Sequence, residues 1–237
     1  MCIVLNEMVR QDKIAYLTTF FQGEGWSLHI QYVDPIESIV KSILSKDSNS
    51  DTINILYSEL RSKYPTWDLL SKSNINDIAL IIDSCGKAEI RANSIIALLE
   101  YINTKFENNS INSIESWSDE LIIEEFTSIN GIEIDMVVRM LNNSLNRSVF
   151  PIDSNSHYII ERIGIISRGL TLEQAFYKIN PYIPFNRDQY LYFNIVKYGK
   201  LICTKNNPKC EHCKLSEHCD YFQNKNEWLS VLDGLTI

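Results

Sequence analysis

Nowhere in the 237 residues does a valine-rich run alternate with polar residues in the period of two that a strand requires, so the chain lacks the material for a sheet and is expected to be all-α. Long apolar runs are missing too. Glu7, Arg10, Asp12 and Lys13 interrupt the first turns, and no later run approaches a bilayer span, which excludes a signal-peptide or membrane pattern. The expectation is a soluble cytoplasmic protein with no membrane partner. Positive charge is also short: 22 Lys and Arg against 30 Asp and Glu give a net charge of −8. That balance excludes a generally basic coat for polyanions and leaves room only for a local patch. With six cysteines and nothing secretory at the start, a disulfide framework is excluded as well.

What remains is helical periodicity over a 45% apolar composition, enough to build a sizeable core. Ile14, Leu17, Phe20 and Phe21 mark a first amphipathic helix that ends at Gly23-Glu24-Gly25. Pro35 opens a second, with Ile36, Ile39, Val40, Ile43 and Leu44 on one face, because proline at the first helical position sacrifices no needed amide. Asp51 or a preceding polar residue can cap a third through Ile53, Leu56 and Leu60. Trp67 to Leu70 leads to a short helix through Ile78, Ala79 and Ile82 that stops near Gly86. Further helices are expected over 91–102 and 117–126, then a tight hairpin at Ile129-Asn130-Gly131-Ile132-Glu133 ahead of Met136, Val137, Met140 and Leu141. Val149-Phe150-Pro151 reads as extended and runs into a helix through Tyr158, Ile159, Arg162 and Ile163. Thr171-Leu172-Glu173-Gln174 has capping-box spacing, and a last long helix spans about 187–200.

That last helix delivers the chain to Cys203, Cys210, Cys213 and Cys219, which have six, two and five residues between them. Four thiolates so spaced suit one soft metal centre, and zinc and iron–sulfur both accept them, so residue chemistry leaves the ion open; a small zinc knuckle stapling the tail is one reading. Lys197, Lys200, Lys205, Lys209 and Lys214 surround the loop, either as a phosphate-gripping patch or as an ordinary solvated rim. The Cys-x6-Cys-x2-Cys-x5-Cys spacing, preceded by Lys197-Tyr198-Gly199-Lys200, resembles the C-terminal loop of the endonuclease III family of helix-hairpin-helix DNA glycosylases. The resemblance implies a [4Fe–4S] cluster on the four cysteines, spanning 203–219, and a two-domain all-α glycosylase fold. Its helical domain over 34–146 contains the hairpin, and residues 1–33 plus 147–237 form a discontinuous second domain, with DNA against the groove between the two. Cys2 and Cys85 lie outside the pattern; Cys85 reads as a small buried hydrophobe.

A second segment carries the same resemblance. The family hairpin Leu-Pro-Gly-Val-Gly-Arg-Lys, followed later by Val-Asp-Thr-His, corresponds here to Ile129-Asn130-Gly131-Ile132-Glu133-Ile134-Asp135 and to Ile152-Asp153-Ser154-Asn155. Gly131 then matches the first hairpin glycine, with a monovalent cation implied at the hairpin carbonyls, and Asp153 matches the essential aspartate. By its own sequence Asp153 also reads as a plain helix N-cap. Asp135 falls at the position of the Schiff-base lysine and has no amine to attack the sugar, so strand cleavage by β-elimination is not expected. Glu133 replaces the second hairpin glycine, where it would repel a phosphate or turn to solvent, and a positive φ there would be strained. Ile43-Leu44-Ser45-Lys46-Asp47-Ser48 resembles the family stretch that reaches into DNA near an extruded base; Lys46 could contact phosphate and Asp47 an exocyclic amine, or both could be a solvated turn. Lys200 joins the DNA-contacting set. Gly86 to Ala92 loosely resembles another family turn, with Arg91 near its lysine.

The function the resemblance implies is a monofunctional, monomeric DNA glycosylase, nucleoid-associated if the source is prokaryotic. It would hydrolyse the N-glycosidic bond of a damaged, modified or mismatched base in double-stranded DNA, with Asp153 stabilising the sugar cation or activating water. The alternatives are a non-catalytic DNA-binding module of that fold, or a bifunctional glycosylase and abasic-site lyase using a different amine such as Lys46. The catalytic glutamate of adenine glycosylases aligns with Ser42, Glu37 lying more than a turn away, and little chain follows Cys219, so adenine removal opposite oxidised guanine is not expected. His157, four residues after Asp153, reads as packing or as part of the cleft wall.

Overall fold

The computed structural model describes residues 2–23, 32–45, 50–106 and 111–224, and among them there is no strand. No helix among the described residues is long and apolar enough to cross a membrane. The chain forms two compact units, one of Ile30–Arg147 and one of Met1–His29 with Ser148–Ile237.

In the unit of Ile30–Arg147, α2 (Pro35–Ser45) follows the expected start at Pro35, with a cap the periodicity does not reveal. Asp34 Oδ1 accepts the amides of Ile36 and Glu37, both at 3.0 Å. Ile36, Ile39, Val40, Ile43 and Leu44 are buried; each such side chain contributes about 1.5–3 kcal/mol relative to exposure. This face packs on α8 (Ile134–Leu145), which buries Met136, Val137, Val138, Met140 and Leu141. Between them run α3 (Ser50–Lys63), α4 (Trp67–Ser71), α5 (Ile75–Ile81), α6 (Ala88–Lys105) and α7 (Asp119–Thr127). The stretch from Trp67 to Ile81 contains two helices because Thr66 and Asn74 each cap one, accepting from Leu69 N at 3.2 Å and Asn76 N at 2.8 Å.

The other unit holds α1 (Cys2–Gly23), α9 (Ser154–Ile163), α10 (Leu172–Ile179), α11 (Asp188–Leu201) and α12 (Asp220–Gln223). The N-terminal helix is tied to residues over 140 positions away: Arg10 Nε donates to Ile165 O at 2.8 Å, Lys13 Nζ to Ile163 O at 2.6 Å, and Tyr190 Oη to Phe21 O at 2.7 Å. The expected capping box forms, with Gln174 N on Thr171 Oγ1 at 3.1 Å and Thr171 N on Gln174 Oε1 at 3.0 Å. Helices α9 and α11 pack closely because position 199 is glycine. A Cβ there would run into Ile159 Cδ1 and lie 3.1 Å from Tyr158 Oη.

The cysteine segment departs from expectation. Among the described residues, which include Cys203, Cys210, Cys213 and Cys219, no group of three or more His, Cys, Asp or Glu side chains is arranged to hold a metal ion. The iron–sulfur loop is therefore not part of the fold, and the resemblance stands without its cluster-bearing feature. The four cysteines line a small cavity with Ile202, Pro208 and Phe222, and the loop is closed by protein contacts. Arg162 donates to Thr204 O at 2.9 Å and Lys205 O at 2.6 Å, Tyr158 Oη to Cys203 O at 2.9 Å, and Cys219 Sγ to Arg162 O at 3.3 Å. Burial raises the Cys203 thiol and pushes Cys219 up to about 11.

Candidate functional site

Asp153 is the most heavily engaged carboxylate of the chain segment that precedes α9. That segment is fixed before it arrives. Ser148 Oγ donates to Asp188 Oδ1 at 2.7 Å and accepts the Asn186 amide at 3.0 Å, while Asn180 clamps Phe150, with Phe150 N on Asn180 Oδ1 at 2.7 Å. The chain then enters α9 at Asp153, in extended conformation with φ −131° and ψ 176°. Its Oδ1 accepts Asn155 N at 3.0 Å and Ser156 N at 2.8 Å, and the Ser156 hydroxyl returns to the Asp153 amide at 3.0 Å, completing a capping box. The N-cap reading is thus correct in full.

The second oxygen has a different partner. Tyr192, on α11, donates its hydroxyl to Asp153 Oδ2 at 2.8 Å, and its ring meets Phe150 edge-on with centroids 6.0 Å apart. Asp153 is left 6% exposed. The amides of Asn155 and Ser156, the hydroxyls of Ser156 and Tyr192 and the positive end of a helix converge on one carboxylate, an arrangement that fixes its rotamer and favours its negative charge. Sequence reasoning missed Tyr192, which lies 39 positions from Asp153 and carries no motif; only the packing of α11 on α9 brings it there. His157, one turn further along α9, has its Nε2 buried without a hydrogen-bond partner. Lys200 is exposed in the last turn of α11.

The remaining candidates belong to the other unit. Gly131 turns the hairpin with φ +81°, and a Cβ would collide with Ser94 Oγ and lie 2.8 Å from Ser94 Cβ on α6. Glu133 is exposed at φ −105°, so the strain anticipated for a side chain there does not arise. Asp135 is half-buried in the first turn of α8, where exposed amides favour a carboxylate. At the hairpin, where the resemblance implied a monovalent cation, the carbonyl oxygens of Phe126 and Ile129 are engaged within the turn, accepting the amides of Ile129 and Ile132 at 3.2 and 3.1 Å. Arg91, 5% exposed, is an anchor and not a surface contact; it donates to Gly86 O at 2.8 Å and to Ile43 O and Leu44 O at 2.6 and 3.0 Å. It thereby satisfies the end of α2. Lys46 and Asp47, which follow that end, lie outside the described residues.

No family model matches the chain. It is 21% identical over 194 residues to an endonuclease III of Thermotoga maritima, covering 82% of this chain and 86% of that protein. It is 24% identical over 200 residues to a thymine/uracil-DNA glycosylase of Pyrobaculum aerophilum, covering 82% and 83%. Among solved structures, a non-covalent endonuclease III–DNA complex superposes with a TM-score of 0.75 at 15% identity, covering 92% of this chain and 98% of that one. The likeness establishes the fold.

Proposed function

We propose that the chain is a monofunctional DNA glycosylase acting on double-stranded DNA. It would release a damaged, modified or mismatched base by hydrolysing its N-glycosidic bond. The observation that carries this reading is the buried, helix-capping carboxylate of Asp153, held on both oxygens, in a fold shared with an endonuclease III–DNA complex. As the base departs, positive charge grows at the deoxyribose C1′; a fixed carboxylate opposite it lowers that barrier without reorganising. Water adds to C1′, its oxygen forming the new bond as the carbon–nitrogen bond breaks, and its proton passes to the departing base. Extrusion of the nucleotide is required because C1′ and its leaving nitrogen are inaccessible in a stacked duplex.

Asp135 supports hydrolysis over imine chemistry, since at this position of the hairpin helix a carboxylate offers no amine with which the sugar could form an imine. A specific observation favours a second reading, a DNA-binding module without catalysis. Both Asp153 oxygens already have intramolecular donors, as a purely structural cap would. Incubation with a panel of modified duplexes followed by alkali separates the two. Base hydrolysis leaves alkali-labile sites, whereas binding alone leaves every strand intact.

A further inference from the structure

Phe185 is 82% exposed, more than any other large apolar side chain among the described residues. A lone apolar side chain on a surface is ordinary, but this one is held out by its turn. Pro184 O accepts the Arg187 amide at 3.0 Å, and the residue after Phe185, Asn186, stands at φ +57°, a conformation asparagine tolerates better than most. The Asn186 amide is bound by Ser148 Oγ at 3.0 Å, and the same hydroxyl donates to Asp188 Oδ1 at 2.7 Å. A turn fixed at three points thus carries an aromatic ring into solvent, where its apolar surface gains nothing.

The charge at the tip is one-sided. Arg187 is exposed, whereas the neighbouring carboxylate, Asp188, is 4% exposed and bonded to Ser148. A chain of net charge −8 therefore shows, at this turn, a ring beside a guanidinium. That pair suits duplex DNA, in which apolar wedges part a base step and arginine meets the phosphates. It suits a protein interface poorly, because one ring between exposed Pro184 and Asn186 covers far less than the roughly 1,000 Å² such an interface needs.

Position adds to the case. The tip and Asp153 belong to the same unit, and Ser148, which binds Asn186, stands five residues before Asp153. Five residues span at most about 18 Å, the length of about five base-pair steps. We propose that Phe185 is a DNA wedge. Its ring enters a base step a few pairs from the nucleotide whose sugar faces Asp153, and Arg187 meets an adjacent phosphate. The wedge rests on the reading of the chain as a protein of double-stranded DNA, not on the hydrolysis of a base.

The test uses the full chain and duplexes that carry one tetrahydrofuran abasic analogue, with 2-aminopurine placed in turn at each position up to about five pairs away on either side. Wild type should raise the 2-aminopurine fluorescence at one step, and Phe185→Ala should abolish the rise. Phe185→Ala should also bind about tenfold more weakly at every salt concentration, with Phe185→Trp restoring both signals. Arg187→Gln should lower the salt slope of affinity by about one. A wild type that raises the fluorescence at no position, or a Phe185→Ala protein that keeps the rise or the affinity, overturns the proposal. So does concentration-dependent self-association in sedimentation that Phe185→Ala removes, which would mark a second copy of the chain as the partner. If the wedge signals are seen but no base is ever released from modified duplexes, the glycosylase reading falls and the wedge stands. Base release with an indifferent Phe185→Ala is the reverse outcome.

Discussion

Tyr192 and Asp153, 39 positions apart, share a 2.8 Å hydrogen bond that occupies the one carboxylate oxygen the α9 cap leaves over. Tyr192 is therefore a positioning residue for Asp153. Tyr192→Phe keeps the ring against Phe150 and removes only the donor. It is expected to fold normally and to bind duplex DNA within about twofold of wild type. Base release in a single turnover should slow about tenfold, as befits one lost hydrogen bond to a charged group. Gel-shift affinity and quench-flow rates measured on the same preparation check this; equal losses of affinity and rate would mean that Tyr192 shapes binding instead.

Gly131→Ala should destabilise the protein by about 2–3 kcal/mol, from left-handed backbone strain plus the overlap with Ser94. Adding Ser94→Gly removes the overlap and should return part of that loss, leaving about 1 kcal/mol of strain. Chemical denaturation of the two variants distinguishes close approach from strain; identical values for both would show that Ser94 does not press on the turn.

Hydrolysis without an amine has a covalent signature in what fails to form. Borohydride added during turnover should trap no protein–DNA adduct, and strands should break only after alkali. Denaturing gels report both. An adduct that survives Asp135→Ala would place the amine elsewhere and reject the monofunctional mechanism.

Glu133 sits exposed at the start of α8 with an ordinary backbone. Glu133→Gln should leave stability within about 0.5 kcal/mol and strengthen duplex binding about threefold at low salt, a gain that shrinks as salt screens the charge. A salt titration of affinity that superposes on wild type would mean that DNA does not approach this turn.

The sequence made the helices legible, and for local reasons. Pro35, the Thr171–Gln174 box and the apolar stripes of α2 and α8 act within a few residues of themselves, so periodicity and capping find them. Asp153 was readable as a cap for the same reason. Tyr192 was not, because its hydroxyl becomes relevant only once α11 lies on α9. Arg91 read only as lying near the lysine of a family-like turn and proves to be buried against the end of α2, a contact over 40 positions long. The four cysteines show the opposite error. Their spacing is a one-dimensional pattern, which does not by itself arrange a metal-holding group, and Cys219 gives its S–H to Arg162 O in a buried setting.

The charge on Asp153 is the centre of the proposed chemistry, and Asp153→Asn tests it most directly, since asparagine keeps the size and capping ability while removing the charge. With a hydrolysable substrate duplex, single-turnover base release is expected to fall at least about 100-fold, or about 2.7 kcal/mol of transition-state stabilisation, with melting temperature and DNA affinity close to wild type. A folded Asp153→Asn protein that releases base at a near-native rate would contradict the assignment.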